Sequence, residues 1–288
     1  MKIGKIVKNG LYYAVGMVGA LFVALMLRLF VVDFFVVPSD SMLPAIEPGD
    51  FILVDKLSFG ARMCCNFDFL EKKTEPVTWR IRGFSGIHHN DVVVFNFPYT
   101  KGWGKIRMNL SRFYVKRCIG LPGDTLSISD GFYEINGQRG FGNVQGQQVL
   151  AENKGDFSKS IYQTFPFNKR LNWNILNMGP LYIPRQGSKM IMNPVNVSIY
   201  KKLIEYESGK QVQVKRNQVF CGDSLLSSWC FRRNWYFMAG DHILNSQDSR
   251  YIGLIPEEFI VGKARLILTA KIPVTEEYRW KRFFTRIK

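Results

Sequence analysis

"VVPSDSMLPAIEPGDFILVDK", residues 36–56, leaves an apolar segment, passes three prolines and a Gly49-Asp50 turn, and opens into strand-forming residues. Proline fixes φ, and short polar side chains such as those of Ser39 and Asp40 bond to their own local backbone, so this is loop chemistry. "FILVDK" then reads as the start of a strand. Ser39 and Ser41 are therefore carried on a stiffened connection between a hydrophobic segment and β-structure. For two serines taken alone a linker is the ordinary explanation, and only the remainder of the chain can argue for more.

Upstream, "MKIGKIVKNG" carries Lys2, Lys5 and Lys8, and "GLYYAVGMVGALFVALML", residues 10–27, runs eighteen positions without a charge. At 1.5 Å per residue that is about 27 Å, close to the hydrocarbon thickness of a bilayer. Arg28 interrupts before "LFVVDFFVV" resumes, but a long arginine side chain can snorkel to the interface. A cleaved leader would have a shorter apolar core and small residues after it, whereas Leu27, Arg28, Leu29 and Phe30 follow here. The expectation is a retained transmembrane anchor over 10–37. The lysines place residues 1–9 in the cytoplasm and everything after the anchor outside it.

Downstream the pattern is mainly β. "DFILVDKL" (50–57), "DVVVFNFP" (91–98), "RFYVKRCIGL" (112–121) and "TLSISDGFYEING" (125–137) are rich in Val, Ile, Phe and Tyr and bounded by turn residues. Asp130-Gly131 and Asn136-Gly137 are tight-turn signals, the second favouring a type I′ hairpin. No stretch after the anchor keeps a long 3.6-residue period, so helices are expected to be minor. Residues 138–232 are polar and irregular and read as an inserted, β-rich subdomain. "NWYFMAGD" (234–241) and "FIVGKARLILTAKI" (259–272) return to β. The division is thus 38–137 with 233–270 as one β core, 138–232 as the insert, and 271–288 as a tail.

Composition narrows the partners. The formal net charge of the 288 residues is +16, and the pI is about 9.7. Such a surface suits nucleic acid, anionic lipid or plain solubility. The tail, "VTEEYRWKRFFTRIK", mixes aromatic with basic residues; beyond an anchor, a lipid bilayer or solvent is the expected neighbour rather than nucleic acid. The five cysteines are Cys64, Cys65, Cys118, Cys221 and Cys230, none with C-x-x-C spacing. Cys221 and Cys230 can bridge a short loop; the vicinal pair Cys64-Cys65 suggests nothing. Neither metal nor cofactor is expected.

Catalytic candidates are few. The three histidines, His88, His89 and His242, stand in no H-E-x-x-H motif, and no G-x-S-x-G elbow is present. A serine can also be activated by a neutral lysine. Bringing a lysine from about 10.4 to the 7–8 of a useful base costs roughly 4 kcal/mol, which burial among apolar strands can supply. Lys116 in "RFYVKRCIGLPGD" is such a lysine: alternation puts it on one face with Tyr114 and Cys118, and Arg117 on the other.

"PSDSMLPAIEPGDFILVDK", "NDVVVFNFP", "YVKRCIGLPGD" and "GDHILNSQDSRYIGLIP" occur in this order, and together resemble the boxes of type I signal peptidases, membrane-anchored serine proteases with a Ser-Lys dyad. The resemblance covers the anchor and about eighty residues in four blocks; 138–232 matches weakly or not at all. It implies a signal-peptidase-like β core on the outer side of a bacterial cytoplasmic membrane, removing signal peptides from exported preproteins after small residues at −1 and −3. It makes Ser41 the nucleophile and Lys116 the general base. Ser39 joins the Ser41 N–H in the oxyanion hole, and Ser246 orients the lysine. Arg117 pairs with Asp241, and Asp248 with Arg250. Val37, Pro38, Met42, Ile46 and Tyr114 fall where the family lines its pockets for small side chains. The chain departs from the pattern at His242 and Ile243, where Asn-Arg is usual, at Ala45, where threonine is usual, and at Asn90, where glycine is usual. Two other classes compete. A self-cleaving Ser-Lys repressor would need a DNA-binding domain and no anchor. A non-enzymatic tethered β-domain binding anionic lipid or polymer would not need the paired boxes.

Overall fold

A computed structural model describes residues 2–64, 76–100, 102–153 and 157–288. The N-terminal apolar run forms helix α1 (Lys2–Phe30). Within it Gly10–Phe30 is long and apolar enough to cross a membrane, and none of that span is buried against the rest of the chain. The helix does not run on to residue 37. Val32–Val36 leaves it as strand β1 and pairs antiparallel with β2 (Asp50–Asp55), Val32 opposite Asp55 and Val36 opposite Phe51. β-Branched and aromatic residues favour this change, and Lys56 completes it. The Lys56 N–H donates to Val31 O at 2.9 Å, and its Nζ donates to Arg28 O at 2.8 Å while pairing with Asp33 at 2.8 Å. Carbonyls that the helix end leaves unpaired are thereby satisfied.

Beyond β2, the strands that build the core are β3 (Val92–Phe97), β4 (Asn109–Gly120), β5 (Thr125–Ser129), β6 (Phe132–Ile135), β7 (Met178–Tyr182), β8 (Trp235–Ala239), β9 (Ile260–Ala270) and β10 (Thr285–Arg286). Among the described residues an eight-stranded antiparallel sheet runs β1-β2-β9-β3-β4-β8, continues to the short pair Ile255–Pro256, and carries β10 beside β9. Strand β3 is buried at every position, because the sheet is covered on both faces. Val92 and Val94 face a cluster with Val37, Met42, Ile46, Ile52 and Val54. Val93 and Phe95 face the larger one, with Cys118, Ile119, Phe237 and Phe259. The β5–β6 turn has left-handed Asp130 (φ 51°) and Gly131 (φ 85°), the pairing of a type I′ hairpin.

The inserted stretch carries helices that the sequence pattern did not announce. Val144–Glu152 (α2) and Pro194–Ser208 (α3) are both helical. The second begins on Asn193, whose side chain accepts from the Asn196 N–H at 2.8 Å, and ends on Gly209 at φ 71°. Its Val195, Val197 and Ile199 look like strand residues, but Val197, Tyr200, Leu203 and Ile204 fall on one buried face. Cys221 and Cys230 are both free thiols, so the bridge the sequence allowed is absent. Cys221 Sγ donates to Ser208 Oγ and Cys230 Sγ to Gly187 O, each at 3.6 Å. Cys65 lies outside the described residues.

Candidate active site

Ser41 sits in the loop between β1 and β2, and Lys116 in the middle of β4. The sheet brings them together across 75 residues of chain: Lys116 Nζ donates to Ser41 Oγ at 2.6 Å and to Val115 O at 3.0 Å. Lys116 is 3% exposed. Burial pulls its amine down from 10.5 to about 8, against the opposing charges of Asp248 and Asp241 and helped by Arg250. A lysine in this state spends an appreciable share of its time neutral near pH 7–8, as a base must. Tyr114, two residues back on the same face, holds its ring centroid 5.4 Å from Nζ and donates its hydroxyl to Gln247 Oε1 at 2.6 Å.

The serine loop is fixed from both sides. The His242 N–H donates to Ser41 O at 3.2 Å. Asn245 Nδ2 donates to both carboxylate oxygens of Asp40, at 3.0 and 2.9 Å, and His242 Nδ1 stands 3.4 Å from the same carboxylate. His242, one of the departures from the family pattern, therefore meets the loop through its backbone N–H, and the side-chain hydrogen bonds to Asp40 come from Asn245. Gly240 is required here, since a Cβ would collide with Ser246 Oγ and Ser41 O. Ser39 Oγ lies 3.3 Å from Ser41 Oγ, and among the described residues the Ser41 N–H has no acceptor.

Ser246 is placed differently from the expectation. Its hydroxyl donates to Asp248 Oδ2 at 2.7 Å, while the hydrogen bonds of Lys116 go to Ser41 and Val115. The reason is the pull of Asp248, a fully buried carboxylate that also accepts from the Gly240 N–H at 2.8 Å and from Arg250 Nε and Nη2 at 2.8 and 2.7 Å. Burial works to raise the Asp248 carboxyl, but the Arg250 charge and these donors prevail and hold it below its usual range. Arg117 forks onto Asp241 at 2.7 and 2.5 Å and donates to Asn90 O at 2.8 Å. Asn90 adopts φ 67°, a left-handed conformation that asparagine tolerates, and its side chain accepts from the Gly142 N–H at 2.7 Å.

Of the pocket candidates, Val37, Met42 and Ile46 are buried in the cluster beneath the loop, Tyr114 is half-buried and Pro38 is exposed. Arg279 and Arg282 belong to the basic-aromatic tail, for which the sequence pattern predicts lipid or solvent and no part in the site. Both reach from the tail to the carboxylates of Glu47 and Asp50 in the serine loop. Two acids in "EPGD" and two arginines three residues apart were the available signal.

Compared with known proteins, residues 11–269 match the family model described as signal peptidase, peptidase S26. The signal peptidase I of Pseudomonas fluorescens is 31% identical over 85% of this chain and 67% of its own length. That of Buchnera aphidicola subsp. Schizaphis graminum is 28% identical over 85% of this chain and 70% of its own. A solved signal peptidase I from Enterococcus faecalis V583 overlaps 63% of this chain and 98% of its own, at 17% identity and a TM-score of 0.30, a likeness too loose to bear on the fold.

Proposed function

The chain belongs to the signal peptidase family, peptidase S26, and we propose that it removes signal peptides from exported preproteins with Ser41 as nucleophile and Lys116 as general base. The observation that carries this reading is the 2.6 Å contact between Lys116 Nζ and Ser41 Oγ in a buried setting that lowers the amine to about 8.

In the reacting state the neutral amine accepts the Ser41 hydroxyl proton as Oγ attacks the scissile carbonyl. The Ser41 N–H and the Ser39 hydroxyl supply donors for the developing oxyanion, a stabilisation usually worth a few kcal/mol per donor. Lys116 then returns the proton to the leaving amine, and a water deprotonated by the same lysine hydrolyses the acyl-enzyme. Asp248 acts through Ser246 and the Gly240 N–H to hold the wall behind the lysine. Pro38 and Tyr114 offer surface to small side chains of the substrate, while the buried Val37, Met42 and Ile46 support the loop from beneath. The helix Gly10–Phe30 anchors the molecule in a bacterial cytoplasmic membrane, with the catalytic domain on the outer side, so that Ser41 stands beside substrates leaving the same bilayer.

The test is incubation of the purified full chain with a preprotein, followed by mapping of the new N-terminus. Cleavage after small residues at −1 and −3, lost in Ser41→Ala and in Lys116→Met, is the expected result. Unchanged cleavage by either variant overturns the dyad, and binding to anionic vesicles with no cleavage at all would leave a tethered β-domain instead.

A further inference from the structure

We infer that Arg279 and Arg282, near the far end of the chain, are positioning residues for Ser41. This rests on Ser41 being the nucleophile. Both arginines lie beyond residue 269, where the family match ends.

The loop that carries Ser41 closes at its base, where the Val37 N–H donates to Asp50 O at 2.9 Å and the Gly49 N–H to Val37 O at 2.7 Å. At that base sits the fully buried Asp50 carboxylate. It accepts from the Glu47 N–H at 2.9 Å, from Arg279 Nη2 at 3.1 Å, and from Arg282 Nε and Nη2 at 3.2 and 2.6 Å. Glu47 takes a nitrogen from each arginine, at 2.5 and 2.9 Å. The same guanidiniums reach backbone carbonyls of the loop, Arg279 to Pro48 O at 2.6 Å and Arg282 to Ala45 O at 3.2 Å. Two charges thus face two charges, each through several directed contacts, which is the geometry guanidinium provides and ammonium does not.

The tail that presents them is itself fixed. The Arg279 N–H donates to Ala270 O at 2.9 Å, Thr285 Oγ1 donates to Arg282 O at 2.8 Å, and β10 pairs with β9. The sheet strand that holds the tail is also the neighbour of β2, so the loop is gripped between the sheet and its own last strand. On its other side Ser41 meets the His242 N–H and Lys116. The height of Oγ over Nζ is set by both grips, and neither arginine touches Ser41 or Lys116. They act through Asp50, Glu47 and the Ala45 carbonyl.

The experiment compares the full chain in detergent with Arg282→Lys, Arg279→Gln/Arg282→Gln and Ser41→Ala, reading kcat and KM for a preprotein peptide, the pH profile and the unfolding transition. Misplacing a reacting group by an ångström costs about 10²-fold. Accordingly the double variant should lose roughly 10- to 100-fold in kcat with KM within about threefold. Arg282→Lys, which keeps the charge and loses the fork, should fall between it and the parent. The ascending limb should stay near 8, because Lys116 remains buried within its strand and the charges of Asp248 and Arg250 around it are untouched. A double variant that is folded and keeps the parental kcat overturns the inference, as does a loss confined to KM or a displaced limb. If the double variant does not fold, Arg282→Lys decides, and parental kcat there overturns it. Activity surviving in Ser41→Ala defeats the site assignment itself, whatever the arginine variants do.

Discussion

Replacing Lys116 with methionine should change stability in a way that depends on pH, and the size follows from its surroundings. Burial draws the amine from 10.5 to about 8 in the folded chain. The unfolded chain therefore binds the proton more tightly between those values, and parental stability must rise with pH from about 8 towards 10.5 and be lowest below 8. At 1.36 kcal/mol per pH unit, the buried charge weakens the fold at pH 6 by roughly 3 kcal/mol, and at pH 10 by under about 1. Methionine carries no charge at either pH. It forfeits the bonds to Ser41 and Val115, worth about 1 kcal/mol each, but that loss is nearly the same at both pH values. The stability of the variant relative to the parent should therefore decline by roughly 2.5 kcal/mol between pH 6 and pH 10. Urea unfolding of both full chains in one detergent, followed by tryptophan fluorescence with the fully buried Trp235 as reporter, measures it. A difference constant to within about 0.5 kcal/mol across that range would mean an ordinary lysine, and the proposal of Lys116 as base would fall with it.

For the parent, kcat/KM should rise about tenfold per pH unit below about 8 and level above it; a Lys116→Arg chain that still cleaves would contradict this, since guanidinium is no base in that range. Asp241→Asn strands the buried Arg117 charge and should cost about 3–5 kcal/mol in thermal or urea unfolding, and a loss below about 1 kcal/mol would count against the pair as a support. Ser246→Ala removes a bond to Asp248 and none to Lys116, so single-turnover rates should drop by less than about tenfold; a collapse as deep as that of Ser41→Ala would restore Ser246 to direct contact with the amine. Joint replacement of His88, His89 and His242 should leave more than roughly a tenth of the rate if no histidine is the base, which a peptide-cleavage assay decides directly.

The β-strands of the core were legible because their residues alternate or run apolar between clear turns, as in Val92–Phe97 and in the Asp130-Gly131 hairpin. The meeting of Ser41 and Lys116 was legible only through the resemblance, since spacing along the chain says nothing of the sheet order that joins β2 to β4 through β9 and β3. Helix α3 was hidden because its β-branched residues imitate a strand locally, while its start and stop lie in the side chain of Asn193 and the φ of Gly209. The end of α1 is hidden for a related reason: hydropathy continues through Val36, but the partner that turns 32–36 into a strand arrives only at residue 50. The local sequence around Arg279 and Arg282 points to solvent or lipid, because a basic-aromatic tail usually faces one or the other. Their neighbours Trp280 and Phe284 are 71% and 70% exposed. Nothing local reveals that a carboxylate more than two hundred residues earlier lies buried beneath the two arginines.

Strand β1 has a metric consequence. It is the only chain between the end of α1 and the serine loop, it is hydrogen-bonded along its length to β2, and Lys56 staples its start to the last turn of the helix. It is therefore a gauge and not a leash. Five residues at about 3.3 Å each fix roughly 17 Å between helix end and loop, and that length cannot be adjusted continuously. One residue added to β1 would turn Phe35 and its neighbours to the opposite face. Two added residues, matched in β2, would keep the faces and lift the loop by about 7 Å. The separation between the end of α1 and the serine loop can thus change only in steps of a residue pair.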